Sequence, residues 1–515
     1  MSCLTLSESL GLPTAPPRFE GVAFPSVDLL MMPMTLCFLP PKPDGPPPDP
    51  EKLYTPEGES LYPFQGEGVD FLLSHPAALL ADEMGLGKSI QTVAAMRLLL
   101  NRGEVKRALI LCPKTLVYDW YQKLWIWAPD LKVIPIEGKQ SRRRWYWKTD
   151  CHINIVGYEA WRDDLKAGYA DPTAFDMVIL DEAQRIKNAK TTLHQAVSQV
   201  EAQWRWGLTG TPVENQVKEL AAIFAYLKPG LLPTVKGPTK AIQAKVAEYV
   251  LRRCKKDVLE LPPKEYETIF LDLTPVQRMA YEAAERAAWA SFREVGPAAF
   301  LTLLTRLKQI CNLDTITGSS CKMDYLERTL GPILAADEKV LLFSQYPEKS
   351  LSALLPRLAR FGVALFDGSL RDWDRQLLVT QFQKAEQPKV MAMSLKAGGV
   401  GITLTRASRV YHLDHWWNPA VAAQAEDRTH RIGQTKPVKV TTLLTRNTVE
   451  ERIAQVLTEK RALFHEIMDP LTDSDPSEAQ EWRRLQRSLT QEDFRRILGI
   501  QEDEAAEPKS ESHQP

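Results

Sequence analysis

Residues 80–89 read LADEMGLGKS. An apolar run from Ala77 to Leu80 leads into a glycine-containing turn. Lys88–Ser89 then open a helical stretch in which Ile90, Val93, Ala94 and Leu98 share one face before a stop at Gly103. Strand, turn and helix in that order are the context a phosphate-binding loop requires. Gly85 and Gly87 let backbone N–H groups close on phosphate oxygens, and the new helix aims its positive end at the anion. Lys88 supplies a point charge to the outer phosphates, and Ser89 offers a hydroxyl to Mg²⁺. The loop is therefore assigned to Asp82, Glu83, Met84, Gly85, Leu86, Gly87, Lys88 and Ser89. In the general loop pattern a glycine stands where this chain has Asp82.

Residues 175–184, FDMVILDEAQ, form a buried-type strand that ends in two acids. Downstream of a phosphate loop, Asp181 is the expected Mg²⁺ ligand, through water. Glu182 is the expected general base for the water that attacks a γ-phosphate. The plain alternative is a strand end with solvated carboxylates. Gln65, in LYPFQGEGVDFL, precedes the loop and could hydrogen-bond adenine. LTGTPV (208–213) reads as a strand ending in the hydroxyls Thr209 and Thr211, or simply as a Gly-Pro turn.

Working outward, short apolar runs recur at Ala108–Cys112, Ile153–Val156 and Met177–Leu180, separated by helical or loop stretches. They recur again at Val340–Phe343, Val363–Phe366, Val390–Met393, Val410–Leu413 and Val438–Leu444. That alternation is the pattern of parallel sheets wrapped by helices. Between the two blocks lies a stretch rich in Ala, Leu, Arg and Glu with few strand signals. The expected fold is α/β, two tandem parallel-sheet lobes joined by a helical insert. The boundaries are a Pro-rich arm over 1–58, lobe one over 59–230, insert and linker over 231–335, lobe two over 336–468 and a tail over 469–515. The arm holds Pro40, Pro41, Pro43, Pro46, Pro47, Pro48 and Pro50, and TQEDFRRILG (490–499) reads as a short helix in the tail.

In the second block, QAEDRTHRIGQ (424–434) carries Arg428 and Arg431. Their spacing would put both on one face of a helix. A guanidinium from a second lobe can stabilise charge on a transferring γ-phosphoryl group, an effect of roughly 10³- to 10⁵-fold in rate. The alternative is a solvated helix with surface ion pairs. SLKAGGVGITLT (394–405) places Gly398, Gly399 and Gly401 in a loop able to approach a phosphate. The pair Trp416–Trp417 reads as core rather than as a base-stacking platform.

Composition excludes little. The formal net charge is −1, so contact with a polyanion must come from local basic patches. Seven cysteines lie without a metal-type spacing and read as reduced thiols. No apolar run reaches the roughly 18 residues of a membrane span, and no signal peptide is legible, so an intracellular chain without a membrane partner is expected. His412, His415 and His430 lack companion ligands, so no metal beyond Mg²⁺ is assigned.

Taken together these strings resemble the Swi/Snf-type DNA-dependent ATPases, a branch of helicase superfamily two. The resemblance runs in order from about residue 61 to 465. It takes in LYPFQGEGVDFL, ADEMGLGKSIQT, LILCPKTLVYDW (109–120), DEAQRIKNAKT (181–191), LTGTPVEN and LRRCKKDVLELPPK (251–264). It continues through VLLFSQY (340–346), FDGS (366–369) with Arg375, SLKAGGVGITLT, WWNPAVAAQAEDRTHRIGQTKPV and TVEERI (448–453). Gln184 stands where many relatives carry His, and MAMS replaces the usual serine–threonine start before LKAGG.

The resemblance implies RecA-like lobes, ATP and Mg²⁺ as cofactors, and nucleic acid, double-stranded DNA in particular, as partner. Catalytic roles fall to Lys88, Glu182, Arg428 and Arg431. Nucleic-acid contacts fall to Lys114, Thr209, Arg252, Arg253 and Lys396. The basic-aromatic run Arg142–Lys148 is a further candidate, with an amphipathic helix face as its alternative. A zinc-bearing insertion and appended modules are not legible, so a compact form without accessory modules is expected. Partner choice would fall to the arm or the tail. A strand-separating helicase and a nucleotide-sensing interaction protein remain the competing readings.

Overall fold

The structure is a computed structural model that describes residues 49, 52–56, 59–210, 217–232, 239–295, 297–346, 352–370, 372–394, 402–414, 419–456, 493, 496 and 497. The chain divides between Cys254 and Lys255 into two units, each built on its own sheet. Lys396, Thr211, the glycines 398–401, Trp416–Trp417, most of the Pro-rich arm and most of the tail helix lie outside the described residues.

In the first unit the strands are β1 (Ala77–Leu80), β2 (Ala108–Cys112), β3 (Val133–Ile136), β4 (Ile153–Gly157), β5 (Met177–Asp181), β6 (Trp204–Leu208) and β7 (Val250–Leu251). They form one parallel sheet in the order β3-β4-β2-β5-β6-β1-β7. Every residue of β2 and β4 is buried, as is all of β5 except its terminal Asp181. A parallel sheet needs such unbroken apolar runs because helices cover both faces. Each fully buried Leu, Ile or Val adds roughly 1.5–3 kcal/mol. Flanking helices are α1 (Pro63–Ser74), α2 (Lys88–Asn101), α3 (Val117–Trp127), α4 (Gln140–Tyr146), α5 (Tyr158–Lys166), α6 (Thr192–Ser198), α7 (Val217–Leu227) and α8 (Thr239–Val246).

The second unit carries β8 (Lys264–Leu271), β9 (Lys339–Ser344), β10 (Val363–Phe366), β11 (Val390–Ser394), β12 (Ala407–His412) and β13 (Val438–Thr445). They form a second parallel sheet, β10-β11-β9-β12-β13-β8. Leu341, Phe343, Met391, Met393, Val410 and Val440 fill one face, and Val340, Leu342, Val390, Ala392, Tyr411 and Leu443 fill the other. Helices α9 (Lys255–Val258), α10 (Pro275–Val295), α11 (Pro297–Asn312) and α12 (Cys321–Ala335) precede β9. Next come α13 (Ser352–Leu358), α14 (Asp372–Lys384) and α15 (Pro419–Glu426).

Each strand expected from an apolar run is present, and the fold is α/β with two parallel-sheet lobes. The segment expected to be a helical insert is mostly helical, with two strands that the expectation did not include. Val250–Leu251 pairs with β1, and Lys264–Leu271 pairs in register along all of β13. The strand KEYETIFL escaped the sequence reading because it lies at a sheet edge. Its Tyr266 and Phe270 stay exposed, so it lacks the continuous apolar run of a central strand. Among the described residues no helix is long and apolar enough to cross a membrane. The described cysteines, Cys112, Cys151, Cys254, Cys311 and Cys321, are free thiols.

Candidate active site

Strand pairing places the phosphate loop beside the acids. Leu80 pairs with Leu208, and Leu208 pairs with Asp181, so the ends of β1, β6 and β5 stand in one rank. The carboxyl ends of parallel strands are where open α/β sheets bind ligands. Gly85 (φ 90°) and Gly87 (φ 77°) both take the left-handed conformation, and Gly87 caps α2 directly before Lys88. A side chain at either would strain the loop.

Lys88 Nζ donates to the carbonyls of Asp82 (2.8 Å) and Glu83 (3.3 Å), folding over its own loop. Gly210 admits this arrangement. A Cβ there would stand 2.4 Å from Met84 Cγ and 3.4 Å from Lys88 Nζ. Ser89 Oγ accepts from Lys123 Nζ at 3.3 Å, and Lys123 is paired with Asp119 at 2.5 Å.

Asp181 Oδ2 accepts from Trp120 Nε1 at 2.7 Å, and Asp181 Oδ1 from the Glu182 N–H at 3.0 Å. Tyr158 OH holds the Asp181 carbonyl at 2.8 Å. Burial pushes the Asp181 carboxyl up to about 6, and the charge of Glu182 adds to the rise, against the Trp120 N–H, Lys123 and Lys88. The paired acids therefore form a site short of positive charge. Glu182 itself takes a left-handed backbone, φ 53° and ψ 55°, at a cost of roughly 1–2 kcal/mol for a residue with a Cβ. Gln184 Nε2 donates to Glu182 Oε2 at 2.5 Å, and Thr209 Oγ1 donates to Gln184 Oε1 at 3.0 Å. Gln184 thus links the acid box to the end of β6.

A hydroxyl and a carboxylate are hard oxygen donors of the kind Mg²⁺ takes alongside phosphates and water. Ser89 and Asp181 fit that ion. Among the described residues no group of three or more His, Cys, Asp and Glu could hold a metal.

The loop is fastened from beneath by side chains that sequence reasoning did not assign there. The Asp82 carboxylate is fully buried. It accepts from Arg253 Nη2 (2.6 Å), Nε (3.0 Å) and backbone N–H (3.1 Å), and from Gln91 Nε2 (3.2 Å). Arg253 also donates to the Phe64 carbonyl and to Gln91 Oε1, and it stacks over the Phe64 ring at 5.3 Å. Gln65 Nε2 holds the Leu86 carbonyl at 3.2 Å, while its Oε1 caps α1 through the Tyr62 N–H.

Two assigned nucleic-acid contacts are corrected by this geometry. The Arg253 guanidinium is spent inward on Asp82, because a buried carboxylate needs a charged partner. Thr209 is 1% exposed and donates to Gln184, which hides its hydroxyl from any polyanion. Asp82 is likewise redirected, since its carboxylate faces Arg253 and Gln91 and sets the loop's shape.

Arg252 is exposed, and Lys114 opens a short 3-10 turn after β2. The run Arg142–Lys148 follows its amphipathic alternative in part. Arg143 and Trp147 both bond buried Asp164, Arg142 bonds Tyr146, and Arg144 lies over Tyr169.

In the second lobe, α15 ends at Glu426, so Arg428 and Arg431 sit in the turns that follow rather than on a helix face. The Thr429 N–H and hydroxyl both return to the Glu426 carbonyl, which closes the helix there. Arg428 is buried and its carbonyl accepts from Leu404; Arg431 is partly exposed and reaches the Ile402 carbonyl at 3.4 Å. Gln434 Nε2 pins the turn through the carbonyls of Thr405, Ala407 and Thr429. Arg375 donates to the carbonyls of Asp367 and Gly368.

Comparison with known proteins finds two matching domains and several relatives. Residues 64–316 match the SNF2-related domain, and residues 321–433 match the helicase conserved C-terminal domain. The chain is 32% identical over 432 residues to an uncharacterized ATP-dependent helicase of Mycoplasma pneumoniae, covering 78% of this chain and 42% of that one. It is 33% identical over 455 residues to the putative ATP-dependent helicase/translocase YwqA of Bacillus subtilis, covering 79% and 49%. It is 31% identical over 463 residues to a mouse SWI/SNF-related matrix-associated actin-dependent regulator of chromatin, subfamily A member 1, covering 78% and 42%. The chain thus spans less than half the length of these relatives. With its phosphate loop, acid box and arginine turn carried on matching domains, the chain belongs to the SNF2-related helicases.

Proposed function

We propose that the chain hydrolyses ATP and uses the cycle to move along nucleic acid, double-stranded DNA foremost, so as to remodel or displace bound protein. The observation that carries this reading is the rank of strand ends that holds Lys88, Ser89, Asp181 and Glu182 in one lobe. Family membership supports ATP as the nucleotide, and the name of the B. subtilis relative includes translocase as well as helicase.

In this reading Lys88 exchanges the carbonyls of Asp82 and Glu83 for the outer phosphates. Ser89 and Asp181 hold Mg²⁺, which would neutralise charge on the β- and γ-phosphates. Glu182 orients the attacking water and takes its proton, with Gln184 steadying the carboxylate. Gln65 serves the adenine. Arg428 and Arg431 stabilise charge on the γ-phosphoryl group, Arg431 being the more accessible of the two. Lys114, Arg252 and Lys396 are assigned to backbone phosphates, which makes binding salt-sensitive and largely indifferent to sequence.

The test is ATP turnover with duplex DNA, single strands and RNA in turn. Stimulation by duplex, with triplex displacement and no unwinding, supports translocation. Unwinding of a forked duplex would favour a strand-separating helicase, and no turnover with any nucleic acid would leave a nucleotide-sensing protein. Lys88→Ala abolishes turnover by weakening nucleotide binding. Glu182→Gln retains ATP unhydrolysed, and a wild-type rate from that variant would remove the base assignment. Arg431→Ala lowers kcat and spares ATP affinity.

A further inference from the structure

We infer that residues 250–266, VLRRCKKDVLELPPKEY, position both halves of the hydrolytic chemistry. Arg253 sets the phosphate loop, and Lys255 with Lys264 sets the arginine turn. The inference rests on the ATP hydrolysis proposed above and adds positioning residues that touch no nucleotide.

The first anchor lies within lobe one. β7 pairs with β1, and the pairing runs on past the strand end. The Ala81 N–H donates to the Leu251 carbonyl at 2.7 Å, and the Glu83 N–H donates to the Arg253 carbonyl at 2.9 Å. The segment therefore travels alongside the phosphate loop, and the Arg253 guanidinium locks Asp82 from the same side.

A second anchor lies within lobe two. Lys255 Nζ donates to Asp427 Oδ1 and to the His430 carbonyl, both at 2.9 Å. The His430 ring bonds the Pro262 carbonyl at 2.8 Å. Lys264 Nζ pairs with Glu426 Oε2 at 2.7 Å, and Tyr266 OH donates to the same oxygen at 3.1 Å. His412 Nε2 meets the other oxygen, Glu426 Oε1, at 3.0 Å. Asp427 and His430 bracket Arg428, and His430 immediately precedes Arg431, so the segment grips the turn on both sides of its first arginine.

Cys254 alone separates Arg253 from Lys255, so about 7 Å of chain at most joins the two anchors. The Lys255, Lys264 and Glu426 side chains are 8%, 14% and 6% exposed. Breaking such a pair leaves an uncompensated charge. The segment therefore holds each loop stiffly within its own lobe.

The experiment measures kcat and KM for duplex-stimulated ATP hydrolysis, with affinity read separately by an N-methylanthraniloyl-labelled ATP. Arg253→Gln weakens labelled-ATP binding about 10-fold and leaves kcat at saturation within about threefold. Lys255→Gln and Lys264→Met lower kcat about 10- to 100-fold through misplacement of the turn, with affinity held within about twofold. Lys264→Arg keeps the charge and restores most of kcat. Tyr266→Phe removes only a hydroxyl from Glu426 at an exposed residue, and it lowers kcat about threefold even if Lys264→Met fails to fold.

A purely structural role would depress both parameters together. Folded Lys255 and Lys264 variants with unchanged kcat, or with kcat and affinity falling in parallel, overturn the inference while leaving ATP hydrolysis intact. A wild-type protein that never turns over ATP overturns the proposed function and this inference with it.

Discussion

Glu450→Gln should loosen the second lobe from within. Glu450 lies in the first turn of the helical stretch at 449–456 and is fully buried. Its two oxygens each stand 2.8 Å from Lys322 Nζ, and it also accepts from the Thr445 N–H (3.0 Å) and hydroxyl (2.9 Å). The ammonium of Lys322 completes its shell with the Leu413 carbonyl at 2.5 Å and Asn312 Oδ1 at 2.9 Å. Asn312 passes the network to Asp414, which also accepts from Ser344 at 2.6 Å. Lys308 lies buried in the same cluster near Asp414 and Glu450, and burial holds its ammonium below the usual lysine range. Two cations thus face two anions.

Glutamine keeps the shape and removes one anion, leaving Lys322 buried against an amide. Removing one partner of a buried pair costs about 3–5 kcal/mol. That corresponds to roughly 150- to 5,000-fold more frequent opening. Hydrogen exchange of peptides spanning β9, β12 and β13 reads it directly, with β2 and β5 of the first lobe as the unchanged internal reference. Adding Lys322→Met should recover at least about 1 kcal/mol, because the orphaned cation leaves with its partner. An acceleration below tenfold, or a double variant worse than the two singles summed, would show that this pair does not secure the second sheet.

Three further outcomes follow from the first lobe. Asp181 titrates near 6 when folded, above the roughly 3.9 of an unfolded aspartate, so its ionised form opposes folding. That penalty is absent well below pH 4, grows through the window between the two values and is complete above pH 6 or so. Without Mg²⁺, Asp181→Asn should stabilise lobe one by up to roughly 3 kcal/mol at pH 8 and about 1.5 kcal/mol at pH 5, read by urea unfolding; a pH-independent difference would contradict it. Gly68→Ala would set a Cβ 1.8 Å from Gln91 Oε1 and 2.9 Å from Arg253 Nη2. The overpacking should cost about 1–3 kcal/mol in thermal melts and raise the KM for ATP; an unchanged KM would separate this network from the loop. Trp120→Phe deletes the 2.7 Å bond to Asp181, and the Mg²⁺ concentration needed for half-maximal turnover should rise severalfold. Identical Mg²⁺ curves would show that the indole does not tune that carboxylate.

Much of the fold was legible because its signals are local. Buried parallel strands announce themselves as apolar runs, and Val363–Phe366 and Ala108–Cys112 matched residue for residue. The phosphate loop was legible because glycines with positive φ must precede the lysine. Lys88, Ser89, Asp181 and Glu182 are named from their strings, and the sheet sets the ends of β1 and β5 on either side of β6. The edge strand Lys264–Leu271 was not legible, since an exposed edge carries too weak a pattern.

What the chain alone determined, then, is the set of elements and the residue types chemistry would need at their ends. Which polar group meets which was decided only by the tertiary structure. Arg252 and Arg253 are adjacent and identical in sequence, yet one is exposed and the other is buried on Asp82. The spacing of Arg428 and Arg431 fits a helix face, yet Thr429 closes α15 at Glu426 and leaves both in the turns beyond. The physical reason is that apolar periodicity is written within a few residues. A buried charge, by contrast, takes its role from a partner far along the chain, 171 positions away for Arg253 and Asp82.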